Sequence, residues 1–272
     1  MIRLTIANQR GGVGKTTTVH TLGRTWADQG FKVLLIDTDP QGSLAEVLGL
    51  RSQNKLHNFL IENIRLEECV AKAHERLDVL LSDRTTAQTE NILSGRMGKE
   101  FALEMAMAEA DQAYDVVLVD VAPSISNLLT CAMIYTRQIL IPVAMDLLSI
   151  QGAAAAITTA DAINRSFPRM LTENPVRVLA VLPVMVDHRL QLTQATFRQL
   201  HAMFDSSPVQ ILPEIRSDIN VKKAERARKC LVDYDPRSRA LTDYEDAAAT
   251  LLTALQGSTN GTAEVAANTN QV

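Results

Sequence analysis

Short apolar runs alternate with longer amphipathic stretches along most of the chain. Runs of strand length, rich in Val, Ile and Leu, fall at 2–7, 33–37, 77–81, 115–120, 138–143, 177–184 and 209–212. Between them, apolar residues recur at helical spacing over 16–29, 43–49, 56–62, 86–94, 97–112, 125–134, 150–165, 190–204, 219–228 and 241–255. A run such as Val116-Val117-Leu118-Val119 has no polar face, so its strand must be covered on both sides. Repeated strand–helix alternation supplies that cover. The pattern predicts an α/β fold, a doubly wound, mostly parallel sheet flanked by helices, in a single domain over 1–255. Residues 256–272, rich in Gly, Ser, Thr, Asn and Ala, offer little to bury and are expected to form a flexible C-terminal tail. No internal repeat is visible.

Composition narrows the function classes. The 272 residues are 46% hydrophobic but only 4% aromatic, which suits aliphatic helices packed on a parallel sheet. A net charge of −4 means that any nucleic-acid contact must come from a local basic patch. Cys69, Cys131 and Cys230 are odd in number and contain no C-x-x-C pair, so neither a zinc site nor a disulfide framework is suggested and a reducing cytoplasm fits. The chain opens without a signal-peptide pattern, and its apolar runs fall far short of the ~20 residues of a membrane span. A cytoplasmic protein with no membrane partner is expected.

Chemistry is concentrated where strands end. Asn8-Gln9-Arg10-Gly11-Gly12-Val13-Gly14-Lys15-Thr16-Thr17 follows the apolar run Leu4 to Ala7 and precedes a helical segment. Strand, glycine-rich loop and helix in that order make a phosphate-binding P-loop. The glycines let backbone N–H groups turn around phosphate oxygens, and the helix N-terminus adds positive potential. Gly11, Gly12, Val13, Gly14, Lys15, Thr16 and Thr17 are the expected phosphate-binding residues, with Lys15 on the β- and γ-phosphates and Thr16 on Mg²⁺. A second strand ends in Asp37-Thr38-Asp39-Pro40-Gln41-Gly42. Carboxylates at i and i+2 there suit a Mg²⁺-linked water network and a hydrolytic water, although Asp-Pro and Gln-Gly also read as a capped turn. The run ending in Asp120 is a Walker B strand whose acid would hold Mg²⁺ through a water. No guanine-reading N-K-x-D signature is present, which favours ATP over GTP as the cofactor beside Mg²⁺.

The P-loop departs from G-x-x-x-x-G-K-[ST], since Gln9 stands where the first glycine belongs. It resembles instead the deviant Walker A loop of the ParA/MinD family, K-G-G-x-G-K-[ST]-[ST]. The run from Asp37 to Gly42 is similar to the family's D-x-D-P-Q-G. Asp120-Val121-Ala122-Pro123-Ser124 is similar to its D-x-P-P-S, with Ala122 replacing a proline. Ile141-Pro142-Val143 with Ser149-Ile150-Gln151-Gly152, and Tyr234-Asp235-Pro236-Arg237-Ser238-Arg239-Ala240, extend the resemblance over about residues 1–255. The last run points to the ParA branch. No basic amphipathic anchor of the MinD kind is visible, since no Lys or Arg follows Arg239, and the switch segment after Asp120 holds no cysteine of the iron-protein kind.

The resemblance implies that Asp39 orients the attacking water and that Asp37 supports the Mg²⁺ shell. It implies that loops near Pro183 to Asp187 and Pro213 to Arg216 flank adenine, making Asp187 and Pro213 candidate contacts. It also implies an ATP-bridged homodimer in which the cation before the glycines reaches the partner's phosphates. That cation is Arg10 here, in place of the family's lysine, and would act as an arginine finger.

Residues 216–229 hold six basic residues and two acidic ones, a local +4. Lys222, Arg226 and Lys229 share one helical face, with Lys223 beside it, and Arg216 opens the segment. Such a stripe can neutralise phosphates without reading bases. The resemblance implies binding of nonspecific DNA by the ATP dimer, a nucleoid-associated state, and a ParB-like partner that stimulates hydrolysis. With the first strand at the very start, no helix-turn-helix for operator binding is expected. Two other readings stay open: a P-loop metabolic enzyme of the dethiobiotin synthetase type, and a ParA-like regulator or scaffold with weak ATPase activity in which Arg10 alters the switch.

Overall fold

The computed structural model describes residues 1–205 and 207–269, with 256–269 described through the backbone alone. In chain order the elements are β1 (Ile2–Ile6), α1 (Lys15–Asp28), β2 (Val33–Asp37), α2 (Ser43–Leu48), α3 (Leu56–Ile61), α4 (Leu66–Cys69), β3 (Val70–His74) and β4 (Leu77–Leu80). Next come α5 (Thr86–Ser94), α6 (Ala102–Met107), β5 (Val116–Asp120), α7 (Asn127–Thr136), β6 (Gln138–Ala144), α8 (Leu147–Ser166), α9 (Pro168–Leu171) and β7 (Arg177–Val184). The chain closes with α10 (Gln191–Phe204), β8 (Gln210–Ile211), α11 (Ile219–Arg226), α12 (Leu231–Tyr234) and α13 (Arg239–Thr269).

The strands form one sheet in the order β3-β4-β2-β5-β1-β6-β7-β8. Every neighbouring pair is parallel except β3 with β4. The chain leaves β1 toward one edge, returns through β5, then builds β6 to β8 on the other side. The order therefore reverses at β1, the position where ligands bind in such sheets.

Alternation along the strands explains the two-sided cover. In β5, Val117 and Val119 join a core with α3, α5, α6, α7, α8 and α10, while Val116 and Leu118 face a second core with α1, α2, α11, α12 and α13. All four are fully buried. At roughly 25 cal/mol per Å² of apolar surface, burying both faces is the main term holding such a layer together.

Several boundaries differ from the sequence pattern. The helix expected over 97–112 breaks into α6 flanked by two short 3₁₀ turns. The antiparallel edge strand β3, and α4, α9 and α12, carried no periodic signal long enough to find. Segment 125–134 becomes helical only at Asn127, because Ser126 caps it by accepting from Leu129 N at 3.0 Å. Helical backbone continues to Thr269, past residue 255 where the pattern ends it; residues 270–272 of the expected tail lie outside the described residues.

Candidate functional site

Residues 7–14 turn over the carboxyl edge of the sheet between β1 and α1. Gly12 and Gly14 make the turn at φ of 77° and 74°, a region where a Cβ would crowd the backbone. Gly14 is the N-cap of α1, so the unpaired N–H groups of the helix's first turn face the loop. Lys15 is 7% exposed, and its Nζ donates to Arg10 O at 3.1 Å across the loop. Burial lowers its pKa, against the attraction of Asp120 and Asp39.

The loop's own scaffold was not anticipated from the sequence. Asn8 is buried, donates from Nδ2 to Pro142 O (2.8 Å) and Ser149 O (3.1 Å), and accepts from Arg10 N at 2.9 Å. Gln9 Nε2 donates to Thr159 Oγ1 at 2.9 Å. These bonds bolt α8 to the P-loop, and Gly152 permits the approach: a Cβ there would lie 2.1 Å from Asn8 Oδ1 and 2.9 Å from Arg10 N. A glycine inside a helical pattern was the available signal.

Asp37 and Asp120 are register partners on adjacent strands, and both are buried, yet they do different things. Asp37 accepts from Asp39 N (2.9 Å) and Leu44 N (3.1 Å), one bond to each oxygen. It builds the loop that carries Asp39, so its expected support of a metal shell falls to the lone pairs left over. Burial and Asp120 push its pKa well up. Asp120 is the opposite case: neither oxygen meets full hydrogen-bond geometry with a described residue, although the Thr16 side chain and the Val121 N–H lie close enough to draw its carboxyl down. Burial pushes its carboxyl up to about 7, with Thr16 and Lys15 pulling down and Asp39 pushing up. A buried carboxylate short of partners is costly. A hydrated Mg²⁺ on Thr16 would satisfy both oxygens, so this donor set fits the ion. Asp39 is half-buried; Oδ1 accepts from Gln41 N at 2.9 Å, and Oδ2 makes no hydrogen bond among the described residues.

Beside the P-loop lies a cleft of about 130 Å³ whose walls include Gly14, Thr17, Met185, Ile215, Lys222 and Glu225. The two loops expected to flank the base do line it, through Met185, Ile215 and Arg216. The two residues singled out do not. Asp187 is held by Arg189, at 2.8 Å from Nε and 2.6 Å from Nη2, an ion pair that pulls its carboxyl down to about 2. Pro213 is exposed, and buried Ile215 takes the wall instead.

The basic segment divides in the same way. Lys222, Lys223 and Arg226 stand exposed on α11, with no hydrogen bond or ion pair from their side chains among the described residues. Arg216 is tied to Asp243, Nη2 to Oδ1 at 2.7 Å and Nε to Oδ2 at 2.9 Å, so it is a staple to α13 rather than a free cation. Lys229 is exposed but lies past the helix end. Arg228 takes φ of 56°, and Lys229 N reaches back to Ala224 O at 3.1 Å, a Schellman-type stop that breaks the expected three-residue face. The run Tyr234 to Ala240 brackets α11: Asp235 Oδ2 accepts from Asn220 Nδ2 at 2.7 Å, and Ser238 Oγ donates to Asp218 Oδ2 at 2.9 Å. Arg10 is exposed, and its guanidinium makes no bond among the described residues. The segments beside it, 121–126 and the start of α8, expose Ile125, Leu147 and Leu148. No helix among the described residues is long and apolar enough to cross a membrane.

Comparison with known proteins agrees with this geometry. A family model described as an AAA domain, AAA_31, matches residues 1–173. The chromosome-partitioning ATPase Soj of Thermus thermophilus is 30% identical over 93% of this chain and 96% of its own length. The sporulation initiation inhibitor protein Soj of Bacillus subtilis is 28% identical over 90% and 96%. Among solved structures, cobyrinic acid a,c-diamide synthase from Mycobacterium smegmatis, with bound ADP and magnesium, superposes with a TM-score of 0.78 at 26% identity, covering 94% of this chain and 96% of that one. The deviant loop seated on β1, the acid at the tip of β5 and the near full-length match to Soj place this chain in the ParA/MinD family of P-loop ATPases.

Proposed function

We propose that the chain is a ParA-type ATPase that takes ATP and Mg²⁺, closes into a dimer, binds nonspecific DNA, and partitions or positions a plasmid, chromosome or other cargo with a ParB-like partner that stimulates hydrolysis. The observation that carries this reading is the buried Asp120 carboxylate, short of hydrogen-bond partners, beside Lys15 and Thr16, with Asp39 close enough to act on the charge of both Lys15 and Asp120. Lys15 holds the β- and γ-phosphates, its partly desolvated charge strengthened by the low local dielectric. Thr16 and Asp120 hold the ion, which when bound neutralises charge developing on the transferring phosphoryl group. Asp39 accepts a hydrogen bond from the attacking water and orients it. Thr17 lines the cleft next to the P-loop, where Met185 and Ile215 offer apolar cover to a base.

Arg10 is free and exposed, so it is available to reach across a dimer to the partner's phosphates. The exposed Ile125, Leu147 and Leu148 beside it supply apolar surface for such a contact. Lys222, Lys223, Arg226 and Lys229 are free to meet DNA phosphates, and a dimer presents two such sets. Because affinity depends steeply on the number of phosphates neutralised, dimerisation links nucleotide state to DNA binding and to a nucleoid-associated state. The test is binding of a nonspecific duplex at fixed salt with no nucleotide, ADP, ATP or a slowly hydrolysed analogue. Binding confined to the triphosphate states and abolished by Lys15→Gln supports the reading; no binding in any state removes the DNA-tethered role.

A second reading draws on the likeness to the diamide synthase: an enzyme using ATP to activate a small molecule. It needs no free basic helix. Turnover that depends on a carboxylic-acid substrate and ignores DNA would favour it.

A further inference from the structure

The loops 39–42 and 121–126 both lie near the P-loop: Asp39 acts on the charge of Lys15, and Pro123 Cγ stands 4.0 Å from where a Cβ on Gly11 would be. At their roots they are joined, since Thr38 donates to Asp120 O from both N and Oγ1 at 2.9 Å. Beyond the roots, no hydrogen bond among the described residues runs from one loop to the other. They meet through α5. Ser82, 1% exposed, donates to Asp39 O at 2.6 Å and shares a 2.7 Å hydrogen bond with Thr86 Oγ1, at the first residue of α5. One turn later on the same face, Glu90 Oε2 accepts from Asn127 N and Nδ2, each at 3.0 Å, and Oε1 accepts from Leu128 N at 2.8 Å. Asn127 and Leu128 open α7, immediately after the 121–126 loop.

Glu90 completes the cap of α7 from another element: Ser126 serves Leu129 N, and Glu90 serves the N–H groups of Asn127 and Leu128 that Ser126 leaves open. A charge-assisted grip on three N–H groups, reaching in from another element, fixes where the end of the 121–126 loop stands relative to α5. The same helix is seated through Thr86 and Ser82 on the main chain of Asp39. Ile125 is 73% exposed, so the loop's position depends on its anchors rather than on packing of its tip.

We propose that α5 is a strut that sets the loop following Asp120 against the Asp39 loop, with Glu90 as the positioning residue and the Ser82–Thr86 pair as its seat. This rests on the nucleotide-site reading above. Displacements near 1 Å at a reacting centre cost up to about a hundredfold in rate. Loss of the grip therefore lowers turnover and loosens only the contacts to the terminal phosphate, while the P-loop, and hence ADP binding, stays intact.

The test compares wild type with Glu90→Ala, Glu90→Gln and Ser82→Ala. Three quantities are measured: kcat and KM for Mg-ATP, the affinities for ADP and a non-hydrolysed ATP analogue, and the thermal midpoint. Glu90→Ala is expected to lower kcat about tenfold with KM within about twofold, and to cut the preference for the analogue over ADP about threefold. Glu90→Gln, which keeps one acceptor oxygen, falls between. A lowered midpoint with kcat and the analogue preference unchanged, measured well below unfolding, overturns the proposal and leaves Glu90 as a cap. If wild type binds nucleotide without hydrolysing it, the ATPase reading fails, and the affinity ratio alone decides the strut. If wild type binds no nucleotide, the strut falls with the site. Should Glu90→Ala not fold, Glu90→Gln and Ser82→Ala decide.

Discussion

At the scale of single residues, two placements bear the most consequence. Gly152 sits where any side chain meets Asn8 Oδ1. Gly152→Ala is therefore expected to destabilise the protein by about 2 kcal/mol, as overpacking does, and to weaken nucleotide binding through displacement of Asn8; urea unfolding and titration with a fluorescent ATP check both. His20 is 2% exposed on α1, and burial pulls its pKa down to about 4. An unfolded histidine titrates near 6.5, so the unfolded chain holds the extra proton between those values. The stability of neutral His20 is intact above about pH 6.5 and is lost as pH falls toward 4, by about 2 kcal/mol between pH 7 and pH 5. Asp120, whose raised pKa works in the opposite direction, overlaps that window. The clean measurement is the stability difference between wild type and His20→Gln at the two pH values: it should shift toward the variant by that amount at pH 5, and a pH-independent difference would count against the assignment. Residue identity along the P-loop was legible because glycine spacing and a following lysine encode a local geometry. The partners of Asp187 and Arg216 were not, because Arg189 and Asp243 reach them only in the folded chain.

At the scale of elements, α11 separates cations that are free from cations that are spent. Lys222→Ala with Arg226→Ala should reduce the slope of log affinity for nonspecific DNA against log salt by about 4 for a dimer with both sets engaged, near one per lost phosphate contact. Arg216→Ala should instead lower stability, by removing the guanidinium from Asp243 and leaving it only the N–H of residue 216, and change the slope little. Equal slope changes for both would mean that the ion pair with Asp243 opens on DNA. The strongly apolar strands β2, β5, β6 and β7 and the helices α1, α8 and α10 were readable because their periodicity is long and uninterrupted. Edge strand β3 was not: its Lys72 and His74 break the apolar run, and only pairing with β4 makes it a strand. The end of α11 was misread for a related reason. Arg228 takes a left-handed conformation that propensity assigns to glycine.

At the scale of the whole molecule, the proposed reach of the exposed Arg10 to a partner's phosphates would make activity a property of two chains. Asp39→Ala should bind ATP, dimerise and hold DNA without turning over, whereas Arg10→Ala should bind ATP as a monomer; light scattering with and without the ATP analogue separates the two. Dimerisation by Arg10→Ala equal to that of wild type would reduce the guanidinium to a solvated loop cation. By itself, the sequence determined the α/β class, the P-loop on the first strand and the acids at the tips of the second and fifth. Each of these follows from local pattern: apolar runs that need cover on two faces, glycines that alone make the turn, and strand ends that face one edge of a parallel sheet. Only the tertiary structure decided that Asp37 is consumed in shaping a loop while Asp120 is left short of partners, that Arg216 and Asp187 are tied to neighbours, and that Glu90 grips α7. Those outcomes depend on which distant donors and acceptors the fold brings within about 3 Å, and no spacing along the chain records that.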